Sequence, residues 1–373
     1  MENTKDKTFW PKNLRPYMTK SNSKAIFQIL NTLIPFVFIW ALYSNLVQQS
    51  LLWAIPFGIL MAMLILRSFV LMHDCGHNAL FKSNQANKFF GYLLGVVTGM
   101  PQYVWSKHHA YHHKTNGDWE KYQGPLSVIS TEKYSQLSDR QKIAYRVFRH
   151  PALFVPFGGF LYVFFNPRFN WIVGLIKLSG NILKTLLSGS PSKAFQMLKE
   201  LPSKKWKTPK EFLHQSYNNI TLFVIYYFMV QAIGAAEFFS AYILSLTLSG
   251  GVGILLFTVQ HNFEHAYASD TTRNDYDLAA LEGTSYLKLP RFLNWLTADI
   301  AYHHVHHLSS TIPNYNLVEC HKEFKPYFKS VRRISLKEIP HSLNYLLWDS
   351  DNEQLITIKE LESSQEVQKF SPA

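Results

Sequence analysis

The chain has 373 residues, of which 47% are hydrophobic, 15% aromatic and only 17% charged. Many aromatics and few charges exclude intrinsic disorder, and two cysteines, Cys75 and Cys320, exclude a disulfide scaffold. The net charge of +12 lies on segments that flank apolar runs, where anionic lipid headgroups account for it, so nucleic acid is not an expected partner.

A mean hydropathy of −0.07 hides an uneven distribution. Residues 1–24 hold six lysines and arginines and read as a cytoplasmic segment. No Asp, Glu, Lys or Arg then occurs until Arg67. A spanning helix needs about 20 apolar residues, so two fit here, at 25–45 and 51–71, joined by a polar tip around Gln48. The run is too long, and starts too far in, for a removable signal peptide. Residues Phe89 to Ser106 carry Gly91, Gly95, Gly99 and Pro101 and read as a re-entrant segment packed in protein. The basic stretch 107–211 reads as cytoplasmic, with interfacial helices over 150–187. Two further uncharged runs, separated only by Glu237, give a second hairpin at 219–236 and 239–260. Residues 261–325 return to the cytoplasm and 326–373 form a C-terminal tail. Lysine and arginine asymmetry puts both termini on the cytoplasmic side, which is the inner face of the cell membrane if the source is bacterial. The fold expected is all-α: four transmembrane helices in two hairpins, beneath a helical cytoplasmic cap.

Ten of the sixteen histidines fall into four tight groups. These are His73 and His77; His109, His112 and His113; His261 and His265; and His303, His306 and His307. Spacings of three and four residues put imidazoles on one helix face, a turn apart. The first and third groups follow apolar runs that end on the cytoplasmic side, and the other two lie in cytoplasmic segments. All four groups can meet at one membrane face. Ten imidazoles exceed the needs of one tetrahedral zinc and suit two six-coordinate ions. Imidazole accepts zinc, copper, iron or nickel, and open positions beside a lipid phase favour ferrous iron with O₂ as co-substrate. A carboxylate is expected to orient a ligand through its Nδ1–H. Asp299, one turn before His303, is the first candidate, ahead of Asp74 and Glu264. His108 and His304 point to another helix face, and His150, His214, His321 and His341 read as surface or interface residues.

The boxes His73-Asp-Cys-Gly-His77, His109-x-x-His112-His113 and His303-x-x-His306-His307, with the continuation Leu308 to Tyr315, resemble the membrane-bound fatty acid desaturases of the acyl-lipid type. The likeness is greatest to the omega-6 (Δ12) and omega-3 groups and spans about residues 25–325. It implies a diiron centre that removes two hydrogens from adjacent carbons of an acyl chain with O₂. The product expected is a cis double bond, at Δ12 of an 18-carbon acyl lipid. Relatives often carry Asn-x-x-x-His after the fourth span, so His265 is implied as a ligand, and His261 as a ligand or the holder of a bridging water. Hydroxylases, epoxygenases and carotenoid ketolases share the boxes. A metal transporter, the reading from another class, calls for ionisable groups at mid-span. Neither a haem motif nor enough cysteines for an iron–sulfur cluster is present. A separate electron donor of ferredoxin or cytochrome b5 type is therefore implied.

Overall fold

The computed structural model describes residues 9–121 and 128–370. Among these, three helices are long and apolar enough to cross a membrane: Asn22–Leu46, Leu51–Gly76 and Ala235–His261. At 1.5 Å per residue, 25 residues reach about 37 Å, more than a hydrocarbon core of about 30 Å. On the first helix Phe27, Ile34, Val37 and Phe38 are each more than 60% exposed. Such a row of bare apolar side chains is stable only against lipid. These are the helices of an integral membrane protein.

The expected span at 219–236 lies within the helix Pro209–Ile233. It is as long as the first span, but Asn218, Asn219 and Gln231 dilute its apolar character, and it is not one of the three. By the same measure of length and composition, Asp139–Arg149 and Pro151–Leu187, bent by 66°, are a further candidate if they count as one broken span. The helix Pro209–Ile233 still forms a hairpin with Ala235–His261. Gly234, at φ +101, makes the turn. Tyr226 and Tyr242, each eight residues from that glycine, meet with their hydroxyls 2.8 Å apart.

The two hairpin tips touch. Gln48 Nε2 donates to the Ile233 carbonyl at 3.0 Å, and the Tyr43 hydroxyl donates to the Glu237 carbonyl. The helices Leu51–Gly76 and Ala235–His261 pack in parallel, with Gly58 against Leu244 near their starts. Their C-terminal ends, which carry His73, His77 and His261, therefore lie at the same end of the bundle, away from the tips.

The re-entrant segment is two helices, Asn84–Val97 and Gln102–Lys114, broken at Gly99 (φ +69) and Pro101. The 150–187 region runs as Pro151–Gly159, a π-turn at Phe160–Phe165 and Asn166–Leu187. Its approach to the last span is glycine-dependent. A Cβ on Gly159 would stand 2.4 Å from the Gly251 amide nitrogen and 2.6 Å from the Thr247 carbonyl oxygen.

The all-α class holds for the bulk of the chain, with two small sheets added to the cap. The chain after 325 is part of this cap, not a tail. Strand β1 (Ile129–Ser130) pairs in parallel with β4 (Tyr345–Asp349), which pairs antiparallel with β5 (Gln354–Thr357). Strand β2 (Ser285–Lys288) pairs in parallel with β3 (Arg332–Ser335). Trp348, 2% exposed, stacks on Trp119 at 4.8 Å. At the other terminus Trp10 and Leu14 are buried, and Trp10 stacks on Phe328 at 5.6 Å. The segments around Trp10 and Trp348 thus both pack onto the region that carries the histidines.

Candidate metal centre

Four helix segments deliver histidines to one end of the bundle. Leu51–Gly76 brings His73, with His77 as its C-cap. Gln102–Lys114 brings His109, His112 and His113. Ala235–His261 brings His261 as its last residue. The six-residue helix His303–Leu308 brings the remaining three. So short a helix does not hold itself. Its setting does that: Tyr276 donates to the His307 carbonyl at 2.7 Å, and Gln260, from the last span, donates to the Ile300 carbonyl at 2.9 Å.

The imidazoles sort into two groups. One holds His73, His77, His109, His113 and His306, and the other His112, His261, His303 and His307. Within each group, one nitrogen per ring lies within 4.8 Å of all the others. The rule behind the sorting is the His-x-x-His-His spacing. His109 and His113 share one helix face and enter the first group, while His112 turns aside into the second. His303 and His307 enter the second group, and His306 crosses to the first. The second and third boxes therefore each contribute to both groups and tie them together, with His113 and His307 stacked at 4.2 Å.

The arrangement fits metal ions better than hydrogen bonding. His109 Nε2 lies 2.9 Å from His73 Nε2 and 3.0 Å from His113 Nε2, and His113 Nε2 lies 3.0 Å from His306 Nε2. A ring nitrogen offers one hydrogen or one lone pair in its plane, so it cannot serve two neighbours. Lone pairs converging on a cation can. With metal–nitrogen bonds of about 2.1 Å, adjacent ligands stand about 3.0 Å apart. Among the described residues, His77 Nε2 and His307 Nε2 are buried with no hydrogen-bond partner, as expected of nitrogens that ligate. Electrostatics agree. Burial first, then neighbouring imidazoles, hold His109, His113, His303, His306 and His307 well below the ordinary histidine value, and His112 at about 3. All six are neutral at neutral pH, the form that binds metal.

Two sequence expectations are corrected here. His265 does not join the second group. The helix ends at His261, Asn262 is extended, and His265 sits at φ 60 with a side chain 77% exposed. A four-residue spacing aligns side chains only while the helix continues. Nor does Asp299 contact a histidine. Ala298 and Asp299 are both left-handed (φ 42 and 58), so Asp299 is not a helical turn before His303. Burial raises its carboxyl to about 6, against the pull of the Arg67 guanidinium. The carboxylate in place is Asp74, 1% exposed, whose Oδ1 accepts from His73 Nδ1 at 3.1 Å. Glu264, the third candidate, lies beside the exposed His265 instead. Outside the groups, His304 is fully buried with its Nε2 2.9 Å from Nδ1 of the half-buried His321, which is therefore an interface residue.

A cavity of about 830 Å³ opens beside the groups. Ile65, Phe69, Val70, Ile254 and Phe257 form apolar wall, and His73, His109, His112 and His303 border it. Trp105 also lines it and stacks on His109 at 4.6 Å, which fixes that ring's orientation. The spacing of the histidines gave no sign of this cavity, because its walls come from six separate stretches of chain.

The sequence pattern of the family described as fatty acid desaturase matches residues 48–335. The chain belongs to this family. Among characterised relatives it is 31% identical to a fatty acid desaturase of Bacillus subtilis, over 93% of this chain and 90% of that protein. It is 26% identical to an endoplasmic-reticulum omega-3 fatty acid desaturase of Vigna radiata, over 86% and 74% of the two chains. It is 24% identical to an sn-1 oleoyl-lipid 12-desaturase of Synechocystis, over 69% and 64%. The protein is thus an oxidoreductase, an O₂-dependent desaturase of the acyl-lipid type with two histidine clusters suited to a diiron centre. Relatives of both omega-3 and Δ12 type stand at similar identity, so kinship does not choose between them.

Proposed function

We propose that this desaturase places a cis double bond at Δ12 of an 18-carbon acyl chain held in a lipid. The observation that carries the reading is the apolar cavity bordered by four of the nine clustered imidazoles. An acyl chain lying in it passes directly beside the metal groups. His73, His77, His109, His113 and His306 would hold one iron, and His112, His261, His303 and His307 the other. Two irons supply the activation of O₂ and the removal of hydrogen from unactivated methylenes. The reaction balances with one O₂, two electrons and two protons taken up, and two waters released with the alkene. The protein's own part is to hold the ligand rings and exclude bulk water. The apolar walls fix which methylene pair lies beside the histidines. The electrons come from a separate ferredoxin or cytochrome b5-type protein.

Expression in a host that makes only saturated and monounsaturated lipids tests the reading. The expected product is an 18-carbon chain with double bonds at Δ9 and Δ12, located by mass spectrometry. A double bond three carbons from the methyl end would place the protein with the omega-3 relatives, and products that gain oxygen would indicate hydroxylation.

The same proposal puts both termini and the histidine groups on the cytoplasmic side. Support comes from the six basic residues before Arg67 and their absence from the tip around Gln48. Reporters fused at either terminus are expected to be cytoplasmic, and one inserted at Gln48 external. An external N-terminus would refute this orientation.

A further inference from the structure

The two ends of the cavity differ in chemistry. Toward the spans its wall is apolar, and Ile65 lies eight residues before His73 on the same helix, about 12 Å deeper. At the other end Lys107, His108, Lys207 and Thr208 line it, all of them exposed. A third lysine stands beside them. Lys107 and Lys210 sit over the same Tyr103 ring, at 5.7 and 4.9 Å. Thr208 caps the 25-residue helix Pro209–Ile233 through the Glu211 amide, so the positive end of that helix lies at the same opening. Glu211 is the only carboxylate among the lining residues. It is 5% exposed and its Oε2 already accepts the Lys207 amide at 2.7 Å. The opening therefore carries net positive charge at the end of an apolar channel.

We propose that this opening is a phosphate subsite. Lys107 and Lys207, with Lys210 beside them, hold the phosphate of the group to which the acyl chain is esterified, while the chain runs along the apolar wall past the histidines. The inference rests on the desaturase reading of the cavity and extends it to the polar end of the substrate. A glycerophospholipid and a phosphate-bearing thioester carrier offer the lysines the same chemistry.

The test uses the full-length, iron-loaded protein in neutral detergent with a reduced ferredoxin. Dioleoyl phosphatidylglycerol, oleoyl-coenzyme A and phosphate-free dioleoylglycerol are compared as substrates. In the double variant Lys107→Ala, Lys207→Ala, KM for a phosphate-bearing substrate rises by about tenfold, the factor given by 1.4 kcal/mol of lost ion pairing. Iron content and kcat stay unchanged, and KM for dioleoylglycerol does not move. Lys107→Arg with Lys207→Arg restores KM, which separates lost charge from lost folding. The wild-type preference between phospholipid and thioester identifies the carrier. Equal effects on dioleoylglycerol, or no effect on any substrate, overturn the subsite. Equilibrium binding of the same radiolabelled lipids is read in parallel. Lysine-dependent binding without formation of a double bond would overturn the desaturase reading and leave the subsite standing.

Discussion

Replacing His261 with alanine is expected to lower bound iron from two per chain to about one and to abolish desaturation. Replacing His265 with alanine is expected to change neither. His261 is 6% exposed, and its Nε2 lies 2.9 Å from His303 Nε2. It is one of only four imidazoles in the second group, so its loss leaves three ligands where the first group has five. His265 lies four residues on, beyond the end of the helix, with its side chain in solvent. Iron per chain by elemental analysis, with turnover of the solubilised protein, decides the matter. Loss of iron in His265→Ala would show that the segment after Asn262 folds back onto the metal, and that His265 ligates as the likeness to relatives suggests.

The histidine boxes were legible because their chemistry is local. A spacing of three and four residues on a continuing helix fixes which rings share a face, and His109, His112, His113, His303, His306 and His307 all lie on such helices. The pair at 261 and 265 was misread because nothing at Asn262 announces the stop. The segment has no glycine or proline there, and Asn262 ends the helix by turning extended, with its amide bonded to the Thr258 carbonyl. The spans at 25–45 and 51–71 were legible from an unbroken lack of charge. The helix over 219–236 was legible from the same lack of charge, and the buried Asn218 and Asn219, which face protein and not lipid, are what make it less apolar than the other three. The C-terminal strands escaped notice since β3 and β4 find their partners, β2 and β1, far along the chain. Asp74 was undervalued for a related reason. Neighbouring residues on a helix point about 100° apart, which argues against contact with His73. What turns the carboxylate inward is a partner 240 residues away.

That partner sets the last expectation. Asp74 Oδ2 accepts the backbone amide of Asn314 at 2.8 Å, the first residue of the helix Asn314–Glu323. Its other oxygen accepts from His73 Nδ1. With Nδ1 donating, the lone pair of His73 is on Nε2, the nitrogen that sits 2.9 Å from His109 Nε2 within the first group. One buried carboxylate thus fixes the tautomer of a ligand and docks the segment that follows the third box. Asp74→Asn keeps an oxygen for only one of these two donors and turns an amide N–H₂ toward the other. Asp74→Ala leaves both donors without a partner in a site 1% exposed. A loss of about 10–100-fold in iron affinity is expected for either substitution, with the greater loss of folding stability for alanine. Asp299→Asn, by contrast, is expected to leave iron affinity unchanged, since that side chain faces Arg67 and no histidine. Competition against a calibrated chelator reports the affinity, and thermal unfolding of the metal-loaded protein reports the stability. Undiminished iron affinity in Asp74→Asn, or a loss in Asp299→Asn that matches it, would return the orienting role to Asp299.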